Sequence, residues 1–283
     1  MRSYSSSGWL FVSLALITLA LATFLPINTY AQENSPDQQS NPLNSEPPEA
    51  NPSRPTVATP ATLTPVGYLQ FESGWLGAAD SPEFSTRHGF NEVVRLTINP
   101  RVELIAPAEP FVHYRATRSL PASNGTGDVF LGAQVVLFRG ENARPTIAVG
   151  YSRHVYDGAT PDIDIGSARD SFLLAASADV YGFHYDANAL FNEQTAGPLN
   201  RFQSGQTISI SHPLTTRFSL TGELWHFTQP FTSSNAAGNL WALGYAPRPN
   251  LVFDAGFNRG LTSTSTQWEL FAGFTYLLPR RLW

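Results

Sequence analysis

From Gly67 onward apolar residues recur at every second position, the period of a strand whose two faces meet different surroundings. In VYGFHYDANALFN, Tyr181, Phe183, Tyr185, Ala187, Ala189 and Phe191 share one face, and His184, Asp186, Asn188 and Asn192 share the other. In TQWELFAGFTY, Trp268, Leu270, Ala272, Phe274 and Tyr276 oppose Glu269, Gly273 and Thr275. GDVFLGAQVVL, RFSLTGELWHF and LVFDAGFNRG alternate in the same way. The pattern predicts about twelve strands, at 67–77, 88–98, 101–108, 127–138, 144–154, 168–179, 181–193, 204–211, 215–228, 238–246, 249–259 and 266–278.

The connections alternate in length. Long ones are expected at GAADSPEFSTRH, through RSLPASNGTG, and at YDGATPDIDIG, NEQTAGPLN, QPFTSSNAAG and LTSTS. Short ones are expected at Asn99-Pro100, Arg139–Arg144, Val180–Tyr181, His212-Pro213-Leu214 and Pro247-Arg248. Short turns at one end and longer loops at the other are the habit of transmembrane β-barrels, and an even strand number leaves both chain ends on the short-turn side. Residues 65–283 allow about 18 residues per strand plus connection, enough for a membrane strand of roughly 9–11. A water-soluble sandwich would carry charges on its outer face. Here the polar face is mostly Gly, Ser, Thr, Asn and Ala, and large rings (Trp75, Tyr151, Tyr181, Trp241, Tyr245, Trp268, Tyr276) sit near strand ends, as in the headgroup belts of a barrel. The expected fold is an all-β, antiparallel transmembrane barrel over 65–283, placed in the outer membrane of a Gram-negative-type bacterium.

The N-terminal part reads differently. Residues 1–31 have the form of a secretory signal: Arg2, the apolar stretch Trp9–Leu25, then Thr29-Tyr30-Ala31 as a small-residue cleavage site. Residues 32–64 are rich in Pro, Ser, Asn, Gln and Glu and lack aromatics. Such a segment buries too little apolar area to offset its chain entropy, so a disordered, partly polyproline periplasmic linker is expected there.

Composition narrows the function. The chain has 283 residues, a net charge of −5, no cysteine, and only 14% charged residues; all 17 basic ones are arginine. The missing cysteine excludes disulfides, thiolate metal sites, cysteine nucleophiles and a lipidated N-terminus. A net acidic chain without basic runs is a poor nucleic-acid binder. Mean hydropathy near zero fits a barrel, where lipid-facing and lumen-facing residues cancel.

VVRLTINPRVEL, GDVFLGAQVVLF and the run NLWALGYAPRPNLVFDAGFNRGLTSTSTQWELFAGFTYLL together resemble the outer-membrane transporter-like barrels of the phenol-degradation meta-pathway family, over about 67–278. The resemblance implies a barrel of about a dozen strands and a role in moving small, often aromatic or hydrophobic compounds. In such barrels a terminal aromatic is read by the barrel-assembly machinery. Trp283 is terminal, but Pro279 breaks the register of the last strand before it.

Alternation points eight charged side chains inward: Glu72, Arg95, Glu103, Asp128, Asp186, Arg217, Glu223 and Asp254. They are the expected lumen lining, either a selectivity-setting path or a set of ion pairs that fills the barrel. Arg95 and Glu103 flank the Asn99-Pro100 turn and are placed to face each other. The six histidines (His88, His113, His154, His184, His212, His226) show no close ligand spacing. Asp157, Asp162, Asp164 and Asp170 cluster in one loop, without the spacing of a calcium loop. No G-x-S-x-G elbow occurs, and only His226, on the outward face, sits where an outer-membrane lipid hydrolase keeps its histidine. The reading is a passive channel or transporter for a small-molecule permeant, contacting outer-membrane lipid, with no catalytic residue, metal or cofactor. The alternatives are a lipid-active enzyme and a structural or adhesion barrel displaying its loops.

Overall fold

The computed structural model describes residues 48–141, 143–158, 160–161, 167–196 and 198–283. The strands are β1 (Leu69–Ala79), β2 (Thr86–Asn99), β3 (Val102–Arg115), β4 (Ser123–Gly125), β5 (Val129–Phe138), β6 (Thr146–Tyr156), β7 (Ser167–Val180), β8 (Phe183–Ala196), β9 (Leu199–Pro213), β10 (Phe218–Gln229), β11 (Ser234–Arg248), β12 (Leu251–Gly260) and β13 (Trp268–Leu277). Successive wall strands pair antiparallel, and β13 returns to pair with β1, closing the sheet. β4 is a three-residue strand on the end of β3, inside the β3–β5 connection, so the wall itself has twelve strands.

Each of the twelve expected spans coincides with a wall strand. The differences lie at the long-loop end. The flanks of NEQTAGPLN and QPFTSSNAAG are strand rather than loop, with Ala196 opposite Leu199 and Gln229 opposite Ser234 across short turns. β3 runs on past Pro107 and Pro110 to Arg115. These extensions are polar on both faces or carry proline, so no apolar period marks them, yet each finds a neighbour to pair with.

The faces are inverted relative to a soluble domain. Outward side chains are large and apolar, from Phe71 (37% exposed) to Leu224 (59%). Inward positions are polar and buried: Gln70, Glu72, Gln134, Thr207, Ser209 and Thr275. A sheet closed on itself satisfies its backbone internally, which lets the apolar face meet lipid. A smaller apolar lining interrupts the polar one, with Leu76, Leu240, Ala242 and Phe271 in one cluster and Trp225, Phe227 and Ala236 in another.

The expected linker is corrected in its described part. Residues 48–64 carry no regular secondary structure, but they are inside the barrel: Ala58 and Ala61 are fully buried and Thr64 nearly so. Ala61 packs on Val136, Ala148 and Ala175, inward residues of β5, β6 and β7, with Leu63 and Leu173 at the margin. The compositional argument counted only what the segment could bury against itself. The lumen wall supplies the missing partners. Residues 1–47, with the expected signal and the first half of the linker, lie outside the described residues.

Candidate functional site

The inner wall offers acceptors, and residues 51–64 carry donors to meet them. Three prolines within the segment (Pro52, Pro55, Pro60), and Pro65 just after, lack a backbone N–H and keep it out of any ladder. The N–H groups between them point at the wall. Ser53 and Arg54 donate to Glu72 of β1, at 3.2 and 3.1 Å. Val57 and Ala58 donate to the two carboxylate oxygens of Glu223 of β10, at 2.8 and 2.7 Å. Thr59 donates to Asn188 of β8 at 2.6 Å, and Ala61 to Ser177 of β7 at 2.7 Å. Thr64 donates through its N–H and its hydroxyl to Glu103 of β3, at 3.0 and 2.7 Å. Carbonyls are met as well: Gln134 of β5 donates to Pro60, Asn188 to Thr59, and Arg95 to Asn51.

Along the segment these contacts visit β1, β10, β8, then β5 and β7 through the neighbours Pro60 and Ala61, and finally β3. The segment therefore runs once around the inside of the wall, in the half of the barrel near the short turns. Between the β1 and β10 contacts it places the Arg54 side chain, which pairs with Asp254 of β12 at 3.2 Å. The guanidinium lies over Gly74 and Gly273, register partners on β1 and β13. A Cβ on Gly74 would come within 2.3 Å of Arg54 Nη2, and one on Gly273 within 2.7 Å. Glycine at both positions clears the floor on which Arg54 rests.

Seven of the eight charged residues expected inward are buried in the lumen. Arg95, Glu103 and Glu72 form one network: Arg95 meets Glu103 Oε2 through Nη2 at 2.5 Å and Nε at 2.9 Å, and its Nη1 lies 3.5 Å from Glu72. The tight turn at Asn99-Pro100 brings β2 and β3 together so that this pair forms across the ladder. Asp186 accepts from Ser177 at 2.5 Å and lies 3.3 Å from His184. Asp128 stands apart, near the long-loop end, beside His154. Arg217 is the correction: β10 begins only at Phe218, so Arg217 sits in the exposed turn before it and lines nothing. The strand was expected to start at 215, three residues early, and alternation carried back past Phe218 put Arg217 inside.

Sequence reasoning missed Arg54, Arg87 and Glu109. Arg54 lay in the supposed linker. Arg87 is buried, pairs with Glu109 at 2.5 Å and donates to the carbonyl of Pro161 at 3.0 Å. Both Arg87 and Glu109 lie outside the expected strand spans, beyond the reach of the alternation argument. Above the ring, a cavity of about 380 Å³ opens between Arg87, Glu109, Asp128, Asn192, Gln194 and Gln203. Of the loop aspartates, Asp170 bonds Tyr151 and Arg153, while Asp162 and Asp164 lie outside the described residues. His226 contacts the amide of Gln206 at 3.0 Å rather than a hydroxyl.

The architecture is similar to that of solved outer-membrane proteins. An outer membrane channel from Pseudomonas putida F1 superposes with a TM-score of 0.55 at 14% identity, covering 81% of this chain and 100% of that one. The NanC porin superposes with a TM-score of 0.52 at 9% identity, covering 74% of this chain and 98% of that one. At such identities the likeness is one of fold: this chain is an outer-membrane-type β-barrel. No family model matches the sequence, and no curated protein does.

Proposed function

We propose that this barrel is an outer-membrane channel for passive passage of small molecules, held in a constricted state by its own residues 51–64. The observation that carries the reading is the ring itself. A wall whose inward carboxylates and amides bind a chain that forms no part of the wall has an interior surface able to bind and release hydrogen-bonding solutes. A barrel that served only as a scaffold would satisfy its inward charges strand to strand. Glu223 and Asp254 instead take their partners from the segment.

The lining sets the permeant class. With the segment displaced, Arg54 leaves with it. The acids Glu72, Glu103, Asp128, Asp186, Glu223 and Asp254 then outnumber the lumenal arginines Arg87 and Arg95. Such an interior favours cations and neutral solutes over anions. Trp225, Phe227 and Phe271 add an apolar strip for a solute with an aromatic or aliphatic body. Such a strip suits the small aromatic or hydrophobic compounds that the resemblance to the phenol-degradation barrels implies. The outward apolar belt contacts outer-membrane lipid, and the assembly machinery delivers the barrel there.

Planar-bilayer recording on the refolded chain and on a Δ48–64 variant tests the proposal. The variant is expected to conduct several-fold more, with a reversal potential in a salt gradient that marks cation preference. Equal, near-zero conductance of both proteins, with no flux of neutral phenolic solutes into liposomes, overturns it.

A further inference from the structure

We propose that Asp128, His154 and Asp157 form a binding site for a first-row divalent cation of the zinc type at the long-loop mouth of the lumen. One ligand atom from each of the three lies within 4.8 Å of the others. His154 Nε2 stands 3.2 Å from Asp128 Oδ1. That nitrogen is shielded from solvent, in a side chain only 11% exposed, yet it makes no hydrogen bond. It is close to the carboxylate without being aimed at it. Zinc binds nitrogen and oxygen at about 2.0–2.1 Å, which sets the ligands of a tetrahedral site roughly 3.3 Å apart. The 3.2 Å between His154 Nε2 and Asp128 Oδ1 is the distance of an ion pair and equally of two ligands sharing an ion, with an Asp157 oxygen within 4.8 Å of both.

The surroundings hold these side chains in place. His154 stacks on Phe130, with ring centroids 4.8 Å apart and planes 20° from parallel, which fixes the imidazole. Asp128 Oδ1 accepts the N–H of Gly158 at 2.8 Å, so the residue after Asp157 is already tied to the first ligand. That approach depends on a glycine: a Cβ on Gly158 would come within 2.5 Å of the Gly127 backbone. One imidazole and two carboxylates form a mixed nitrogen and oxygen set suited to zinc or a neighbouring transition metal, with room for solvent or a permeant in the remaining position.

A cation here would join the start of β5, the end of β6 and the loop beyond it. That loop also reaches Arg87 through the Pro161 carbonyl. Metal would therefore tie Asp157 and Gly158 to the start of β5 and the end of β6, at the end of the barrel opposite the inner ring.

The test uses the full chain refolded in detergent and freed of metal with a chelator. Zn²⁺ is titrated by calorimetry, and each variant is first checked for heat-modifiable migration as a sign of a closed barrel. Saturable one-to-one binding in the micromolar range is expected. His154→Gln and Asp157→Asn should each weaken it at least about tenfold, while His184→Gln leaves it unchanged. Bound Zn²⁺ should also slow proteolysis of the β6–β7 loop in the native chain and not in Asp157→Asn. No saturable binding overturns the proposal, and so does full affinity in both His154→Gln and Asp157→Asn. Loss of binding in His184→Gln would assign the metal to the other end of the lumen and likewise overturn it.

Discussion

Glu72→Gln probes the hold of the wall on the inner ring. The native carboxylate accepts the N–H groups of Ser53 and Arg54 and the hydroxyl of Ser53, the last at 2.9 Å. A glutamine keeps the shape and one carbonyl oxygen. Set at the Oε2 position, that oxygen keeps the bonds from the Arg54 N–H and the Ser53 hydroxyl as neutral bonds, while the Ser53 N–H, shared between both oxygens at 3.2 Å, loses its Oε1 partner, where the new NH₂ group also faces the Gln70 amide donor. A hydrogen bond to a charged group contributes about 1 kcal/mol more than a neutral one, so two weakened bonds shift the seated-to-released equilibrium by roughly 2 kcal/mol. At about 1.4 kcal/mol per tenfold this is a rise of roughly 30-fold in the released population. The barrel itself should survive, because Arg95 keeps its buried pair with Glu103. The readout is the fraction of time single reconstituted molecules spend at the conductance level of the Δ48–64 variant. If Glu72→Gln spends no more time there than the native chain, while Δ48–64 itself conducts freely, the carboxylate contacts do not hold the ring.

Three further outcomes are expected. Gly74→Ala places a methyl group against the Arg54 guanidinium, whose atoms are the three nearest to it, so it should displace Arg54 and raise release as Arg54→Gln does; combining the two should add little, which single-channel recording on the three variants checks. Arg95→Ala leaves Glu103 and Glu72 buried without their cation and should cost about 3–5 kcal/mol, read as a lower urea midpoint for unfolding from lipid vesicles. Leu224→Arg, in mid-strand and facing outward, should cost about 2–4 kcal/mol in the same assay, whereas Leu120→Arg, in the exposed connection before β4, should change it by no more than about 0.5 kcal/mol.

The wall was legible because lipid on one side and a polar lumen on the other impose a strict two-residue period, and every expected span from Gly67 onward meets a strand. That logic also placed Glu72, Glu103, Glu223 and Asp254 inward. It stopped where the period stopped. Arg87 and Glu109 lie on strand extensions above the apolar belt, where neither face is under that pressure. The larger omission, the ring, left a trace that charge counting would have found. Glu223 lies opposite Leu240 on β11 and Ser209 on β9, and Asp254 opposite Gly244 on β11 and Gly273 on β13. Neither carboxylate has a cation across its ladder. A buried charge without a partner is too costly to stand alone, so two inward acids facing glycine, serine and leucine call for a donor from outside the wall. The Pro-rich segment before the first strand, whose N–H groups belong to no ladder, supplies that donor. Register, burial cost and the count of inward charge together demand that donor, as they do in any closed barrel whose alternating pattern leaves lumenal acids unpaired.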